Sequence, residues 1–169
     1  MPRLLLLGGP TGVGKSSTLE RLESRLPRLA VLDADDVWRV SEDLAVDGTR
    51  GIAIANVAGV LRGYARAQCE TAILGWVFAR SELYQPVIDQ LKVDFESIHQ
   101  LYLVASEAAL EARLARRNDL DRLAYSLSRL ALIKDLPHPK IDTTHLTSDE
   151  VAERIASFVR MGELALGDR

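Results

Sequence analysis

Leu4-Leu5-Leu6-Leu7-Gly8-Gly9-Pro10-Thr11-Gly12-Val13-Gly14-Lys15-Ser16-Ser17 is the stretch whose reading decides the fold. Four consecutive apolar residues stopped by glycine predict a short strand covered on both faces, as in a parallel sheet. Gly9 to Ser16 then satisfies GxxxxGK[ST] at every required position. Glycines allow backbone angles closed to other residues and let main-chain N–H groups approach a polyphosphate unobstructed, which gives Gly9, Thr11, Gly12, Val13 and Gly14 the cradle. The loop feeds a helix whose amino end adds partial positive charge. Lys15 can reach the β and γ phosphates, the Ser16 hydroxyl can join a Mg²⁺ shell, and Ser17 can add a further hydroxyl. At ordinary glycine frequency, a chance match in a chain of this length is on the order of one in a few hundred, and one lodged between strand and helix is rarer still.

Outward from this loop, strands and helices alternate. Strands are predicted at 29–32 ending at Asp33, 71–78, 98–104 and 140–143. Helices are predicted at 15–25, at 52–68 after the break Asp47-Gly48-Thr49, at 81–91 kinked or split at Pro86, at 107–117 behind a Ser106 N-cap, at 123–134 and at 148–161. A further helix capped by Asp35 or Asp36 would carry Val37, Trp38 and Val40. The expected product is one α/β domain over 1–161, with three αβα layers around a five-stranded parallel sheet, and a loose tail at 162–169. Ligands of such sheets bind beyond the carboxyl ends of the strands.

Bulk properties narrow the function classes. The 169 residues are 47% hydrophobic and 27% charged with a net charge of −3, which fits a globular protein and disfavours a general nucleic-acid-binding surface. Only four of the 21 basic residues are lysine, so Lys15 is not one of many solubilising charges. The lone Cys69 excludes an internal disulfide and a multi-cysteine zinc site, and fits a reducing compartment. The apolar run at 4–7 is far too short for a membrane span, so the reading is cytoplasmic, without membrane or nucleic-acid partner. His99, His138 and His145 show no metal-ligand spacing.

Three further motifs join the loop: Val31-Leu32-Asp33-Ala34-Asp35-Asp36 beyond a strand end, Ala105-Ser106-Glu107 through Arg113-Leu114-Ala115-Arg116-Arg117, and Lys140-Ile141-Asp142-Thr143. With them the chain resembles the small P-loop kinases of the nucleoside monophosphate, shikimate, gluconate and chloramphenicol kinase type, over nearly the whole domain. The resemblance implies a P-loop NTPase fold, ATP and Mg²⁺, and a small hydroxylated or phosphorylated acceptor. It implies that Asp33 is the metal-side acid, beside Ser16, and Asp35 the substrate-side acid or base. Arg116 or Arg117 would stack on adenine or touch the phosphates, with Arg113 second and Arg122 and Arg129 as further contacts. A short lid is implied at 118–122, and Asp142 and Thr143 would border the adenine. Arg39, one helical turn after Asp35, either binds an anionic group of the acceptor or forms a surface ion pair. Trp76 either walls the acceptor pocket or belongs to the core.

Two departures shape the expectation. The third strand lacks the acid with which many P-loop ATPases hold Mg²⁺, leaving that work to Asp33. Asn118-Asp119-Leu120-Asp121 lacks the lysine of a guanine-reading motif. Both disfavour the rival reading, a nucleotide-switched regulatory NTPase. The acceptor itself stays open among an antibiotic, a nucleoside, a sugar acid and a shikimate-like acid.

Overall fold

The computed structural model describes residues 1–38 and 50–161. Five strands, β1 (Arg3–Gly8), β2 (Leu29–Asp33), β3 (Thr71–Gly75), β4 (Ser97–Val104) and β5 (Lys140–Asp142), form one parallel sheet in the order β2-β3-β1-β4-β5. The helices are α1 (Lys15–Leu22), α2 (Arg50–Arg66), α3 (Ser81–Leu91), α4 (Glu107–Arg116), α5 (Leu123–Lys134) and α6 (Ser148–Met161). Central β1 explains its own sequence: Leu5 and Leu7 enter one core with Leu19, Leu22 and Ile155 from α1 and α6. Leu4 and Leu6 enter a second core with Leu61, Val87 and Ile133 from α2, α3 and α5. All four leucines are at most 3% exposed, because a strand with helices on both faces has no polar side.

Several boundaries differ from the sequence expectation for local physical reasons. Helix α1 stops at Leu22 and not at residue 25, where Arg25 N–H closes a turn on Leu22 O at 2.9 Å and the Arg25 side chain pairs with Asp149 of α6. β3 ends at Gly75, level with Asp33 and Leu7 of its neighbours, and Phe78 turns into the core. Pro86 neither ends nor splits α3, which runs unbroken to Leu91. The acidic cluster is capped by Asp33, not by Asp35 or Asp36: its Oδ1 accepts Asp35 N–H at 3.2 Å at the start of a single 3₁₀ turn, Ala34–Asp36. Val37 and Trp38, expected in a helix, follow that turn as a bend and irregular chain, while Val40 lies outside the described residues, as do Arg39 and the tail at 162–169. Ser106 does cap α4, its Oγ accepting Ala109 N–H at 3.2 Å. The segment expected as a lid contains a 3₁₀ turn, Leu120–Arg122, leading directly into α5.

The topology places the β1–α1 loop, the β2 end with its aspartates, the chain after β3 and the start of α5 around the carboxyl edge of the sheet. That edge is where a crossover reversal opens a crevice in such sheets.

Candidate active site

Loop 9–14 leaves β1 and returns as α1 through two left-handed turns, Gly12 at φ +82° and Gly14 at φ +106°. A Cβ on Gly14 would stand in open space, so its glycine answers a backbone requirement and not a packing one. Gly14 is also the N-cap of α1 and offers no side-chain acceptor, so the first-turn amides have no partner within the helix.

The Gly9, Pro10, Thr11 and Val13 carbonyls of this loop, by contrast, are occupied. Lys15 Nζ donates to Gly9 O at 2.7 Å and to Pro10 O at 3.1 Å. The fully buried Ser126 of α5 donates its hydroxyl to Thr11 O at 2.7 Å. Arg113 of α4 donates to Val13 O at 3.2 Å, and the Thr143 hydroxyl lies 3.3 Å from the same oxygen. Side chains from three other segments thus fasten the acceptor side of the loop, while Val13 N–H closes a turn on Pro10 O at 3.4 Å.

The charges around the loop are coupled. Burial pulls the Lys15 ammonium down to about 8, against the attraction of Asp33 and Asp35 and with a smaller repulsion from Arg117. Ser16 Oγ donates to Asp33 Oδ2 at 2.7 Å, which brings together the two groups assigned to a metal. Desolvation lifts the Asp35 carboxyl above the ordinary aspartate value, Asp33 adds repulsion, and Lys15 and Arg122 pull the other way.

Beside the loop is a cavity of about 310 Å³ lined by Thr11, Asp35, Ile54, Trp76, Val77, Leu83, Arg122 and Tyr125. Asp35 and Trp76, which the sequence reading put in one pocket, share it.

Solved structures share this fold. The tunicamycin resistance protein of Deinococcus radiodurans superposes over 100% of both chains with a TM-score of 0.72 at 22% identity. A sugar kinase from Janibacter does so over 100% of both chains with a TM-score of 0.71 at 16% identity. Shikimate kinase from Acinetobacter baumannii covers 97% of this chain and 96% of its own with a TM-score of 0.61 at 18% identity. The chain has the small P-loop kinase fold. No protein-family model and no curated protein sequence matches it.

Within this P-loop kinase fold the remaining sequence candidates occupy distinct places. Arg113 and Thr143 sit behind the loop: the guanidinium also reaches the Thr143 hydroxyl at 3.0 Å and the Thr143 carbonyl, and Thr143 is 1% exposed. Asp142 turns its carboxylate to Thr144, accepting its N–H at 2.8 Å and its hydroxyl, and these bonds hold the carboxyl below the usual aspartate range. Arg116 and Arg117 are exposed at the end of α4, Arg117 Nε lying 3.3 Å from Asp119. Ser17 is exposed on the first turn of α1.

Sequence reasoning did not place Tyr125 or Ser126 at the site, and named Arg122 and Arg129 only as further contacts. The signal was present as spacing: residues 122, 125, 126 and 129 lie on one face of a helix. Among the described residues no group of three His, Cys, Asp or Glu could hold a metal, so a cation here would draw on Ser16 and Asp33 with water and phosphate oxygens, a donor set that suits Mg²⁺. Among those residues, too, no helix is long and apolar enough to cross a membrane.

Proposed function

We propose that the chain is a phosphotransferase that moves the γ-phosphoryl group of ATP to a hydroxyl of a small acceptor. The observation that carries this reading is loop 9–14, whose Gly9, Thr11 and Val13 carbonyls are tied back by Lys15, Ser126, Arg113 and Thr143 at the amino end of α1, beside a cavity bearing Asp35. A glycine-rich turn feeding a helix amino end, with an ammonium held against it, supplies donors for a polyphosphate.

In this reading the loop amides and Lys15 hold the β and γ phosphates, the ammonium exchanging Gly9 O and Pro10 O for phosphate oxygens. Ser16 and Asp33 would hold Mg²⁺, which supplies charge neutralisation on the transferring group. Asp35 orients the acceptor hydroxyl and takes its proton as the oxygen bonds to phosphorus and the bond to ADP breaks. Its raised affinity for a proton suits that role. Arg116, Arg117 and Arg122 are the guanidinium groups available for charge developing on the equatorial oxygens, and Arg39 is retained as a candidate contact to the acceptor. Positioning and charge stabilisation supply most of the catalysis in such a site.

The test is ADP formation from Mg·ATP by the purified protein with and without candidate hydroxyl acceptors. Turnover that rises from background only when an acceptor is added, with ³¹P signals of a new phosphate ester, supports the reading. Acceptor-independent turnover that answers to a protein partner would replace it with a nucleotide switch.

A further inference from the structure

The cavity beside the loop has an uneven wall. Its described lining combines Thr11, Asp35 and Arg122 with Ile54, Val77 and Leu83, and Trp76 and Tyr125 are its aromatic members. Each ring is in contact with a side chain that is not part of that lining. Trp76 meets the buried Phe78 edge to face, at 5.8 Å between centroids and 75° between planes. The Arg129 guanidinium carbon lies 4.5 Å from the centroid of the Tyr125 ring. Arg129 Nε is buried and has no hydrogen-bond partner among the described residues. The guanidinium is therefore set against the ring and not aimed at an anion through that atom. Tyr125 is nonetheless 46% exposed. An aromatic side chain fixed in orientation from one side and bare on the other is a stacking platform.

We infer that the acceptor is a hydroxylated aromatic compound, of one or two rings, whose ring lies on Trp76 and Tyr125 with a hydroxyl at Asp35, and that Arg129 is a positioning residue for the Tyr125 platform. This rests on the phosphotransferase reading. The volume of about 310 Å³ is at the small end for ligand sites and sets the ring count. A polyol or sugar acid needs hydrogen-bonding partners around its perimeter, whereas five of the eight described lining residues, Ile54, Trp76, Val77, Leu83 and Tyr125, are aliphatic or aromatic.

The experiment uses the full chain with Mg²⁺ and a non-hydrolysable ATP analogue, and saturation-transfer NMR with four probes: 2-phenylethanol, its saturated analogue 2-cyclohexylethanol, glycerol and gluconate. The expected result is binding of the aryl alcohol at least about fivefold tighter than its saturated analogue, with neither polyol bound at the same concentration, a margin in keeping with aromatic stacking. ATP then replaces the analogue, and ³¹P NMR follows phosphate-ester formation on the aryl alcohol. Tyr125→Ala raises KM for it about tenfold, Tyr125→Phe does not, Arg129→Met raises KM by about three- to tenfold at unchanged kcat, and Arg129→Lys restores it. KM for ATP is unchanged in all four, which a general loss of folding would not leave intact. Equal binding of aryl and saturated alcohols, preference for a polyol, no aryl binding at millimolar concentration, or no effect of Tyr125→Ala overturns the inference. Binding of the analogue is followed separately by thermal shift: its absence removes the phosphotransferase reading, whereas its presence with no aryl preference removes only the inference.

Discussion

Replacing Arg113 by methionine separates a support of the phosphate loop from a ligand of the nucleotide. The guanidinium donates to Val13 O, Thr143 Oγ1 and Thr143 O, joining the loop to the end of β5. Burial lowers its hold on the proton, helped by Arg116, so part of its hydration is already lost. Methionine keeps the stem and removes every donor. A charged donor to a buried carbonyl is worth about 1.5–3 kcal/mol, but Arg113 is only half-buried and Val13 O keeps the Thr143 hydroxyl nearby, so the whole loss should be about 2–3 kcal/mol. For a domain of this size that lowers Tm by about 4–12 °C without nucleotide. Differential scanning calorimetry of the ligand-free protein reads it directly, and Thr143→Val should move in the same direction by a smaller amount. An unchanged Tm together with a tenfold or greater loss of ATP affinity would refute the support role and return Arg113 to the nucleotide.

Other outcomes follow from the same site. The Lys15 ammonium, at about 8 when folded against 10.5 in the free side chain, binds fewer protons in the native state between those values. Its contribution to stability therefore grows as pH rises through that window, and the urea-unfolding difference between wild type and Lys15→Met should carry this slope. Binding of Mg·ATP at pH 9 should take up about one proton, seen as a buffer-dependent calorimetric enthalpy, because a bound polyphosphate restores the charge. Asp35→Asn should keep nucleotide binding while lowering transfer by about 10²–10⁴. In the wild type, the acid limb of kcat/KM for the acceptor should lie above the ordinary aspartate range, as Asp35 is held protonated there. Gly12→Ala forces a side chain to φ +82° with its Cβ 3.0 Å from buried Leu114, costing about 1–2 kcal/mol in backbone strain before any repacking, and should weaken ATP binding in a titration.

What the sequence disclosed depended on how local each cause was. Leu4 to Leu7 announced a doubly covered strand because every one of its side chains meets a helix layer. The phosphate loop was legible because its glycines answer backbone angles that no other residue takes up easily. The aspartate that caps the turn after β2 could not be chosen from pattern alone, since Asp33, Asp35 and Asp36 each offer a carboxylate and only the register with Gly75 brings the strand to its end at Asp33. The cavity face of α5 was hidden for a related reason. Helical spacing puts residues 122, 125, 126 and 129 on one face but does not say what that face meets; Ser126 meets the loop because α5 packs at the carboxyl edge of the sheet, as its bond to Thr11 O records. For Arg113 the basic helix end suggested a nucleotide contact, and pattern alone could not show that its guanidinium also reaches the main-chain carbonyl of Val13, 100 residues away in sequence.

The most direct test of the central claim is a crystal structure with Mg²⁺ and a non-hydrolysable ATP analogue. The prediction is that the β and γ phosphates lie within hydrogen-bond reach of the main-chain N–H groups of residues 12–17, with Lys15 Nζ moved from Gly9 O onto phosphate oxygen. Analogue bound elsewhere on the protein, with Lys15 still on the loop carbonyls, would contradict it.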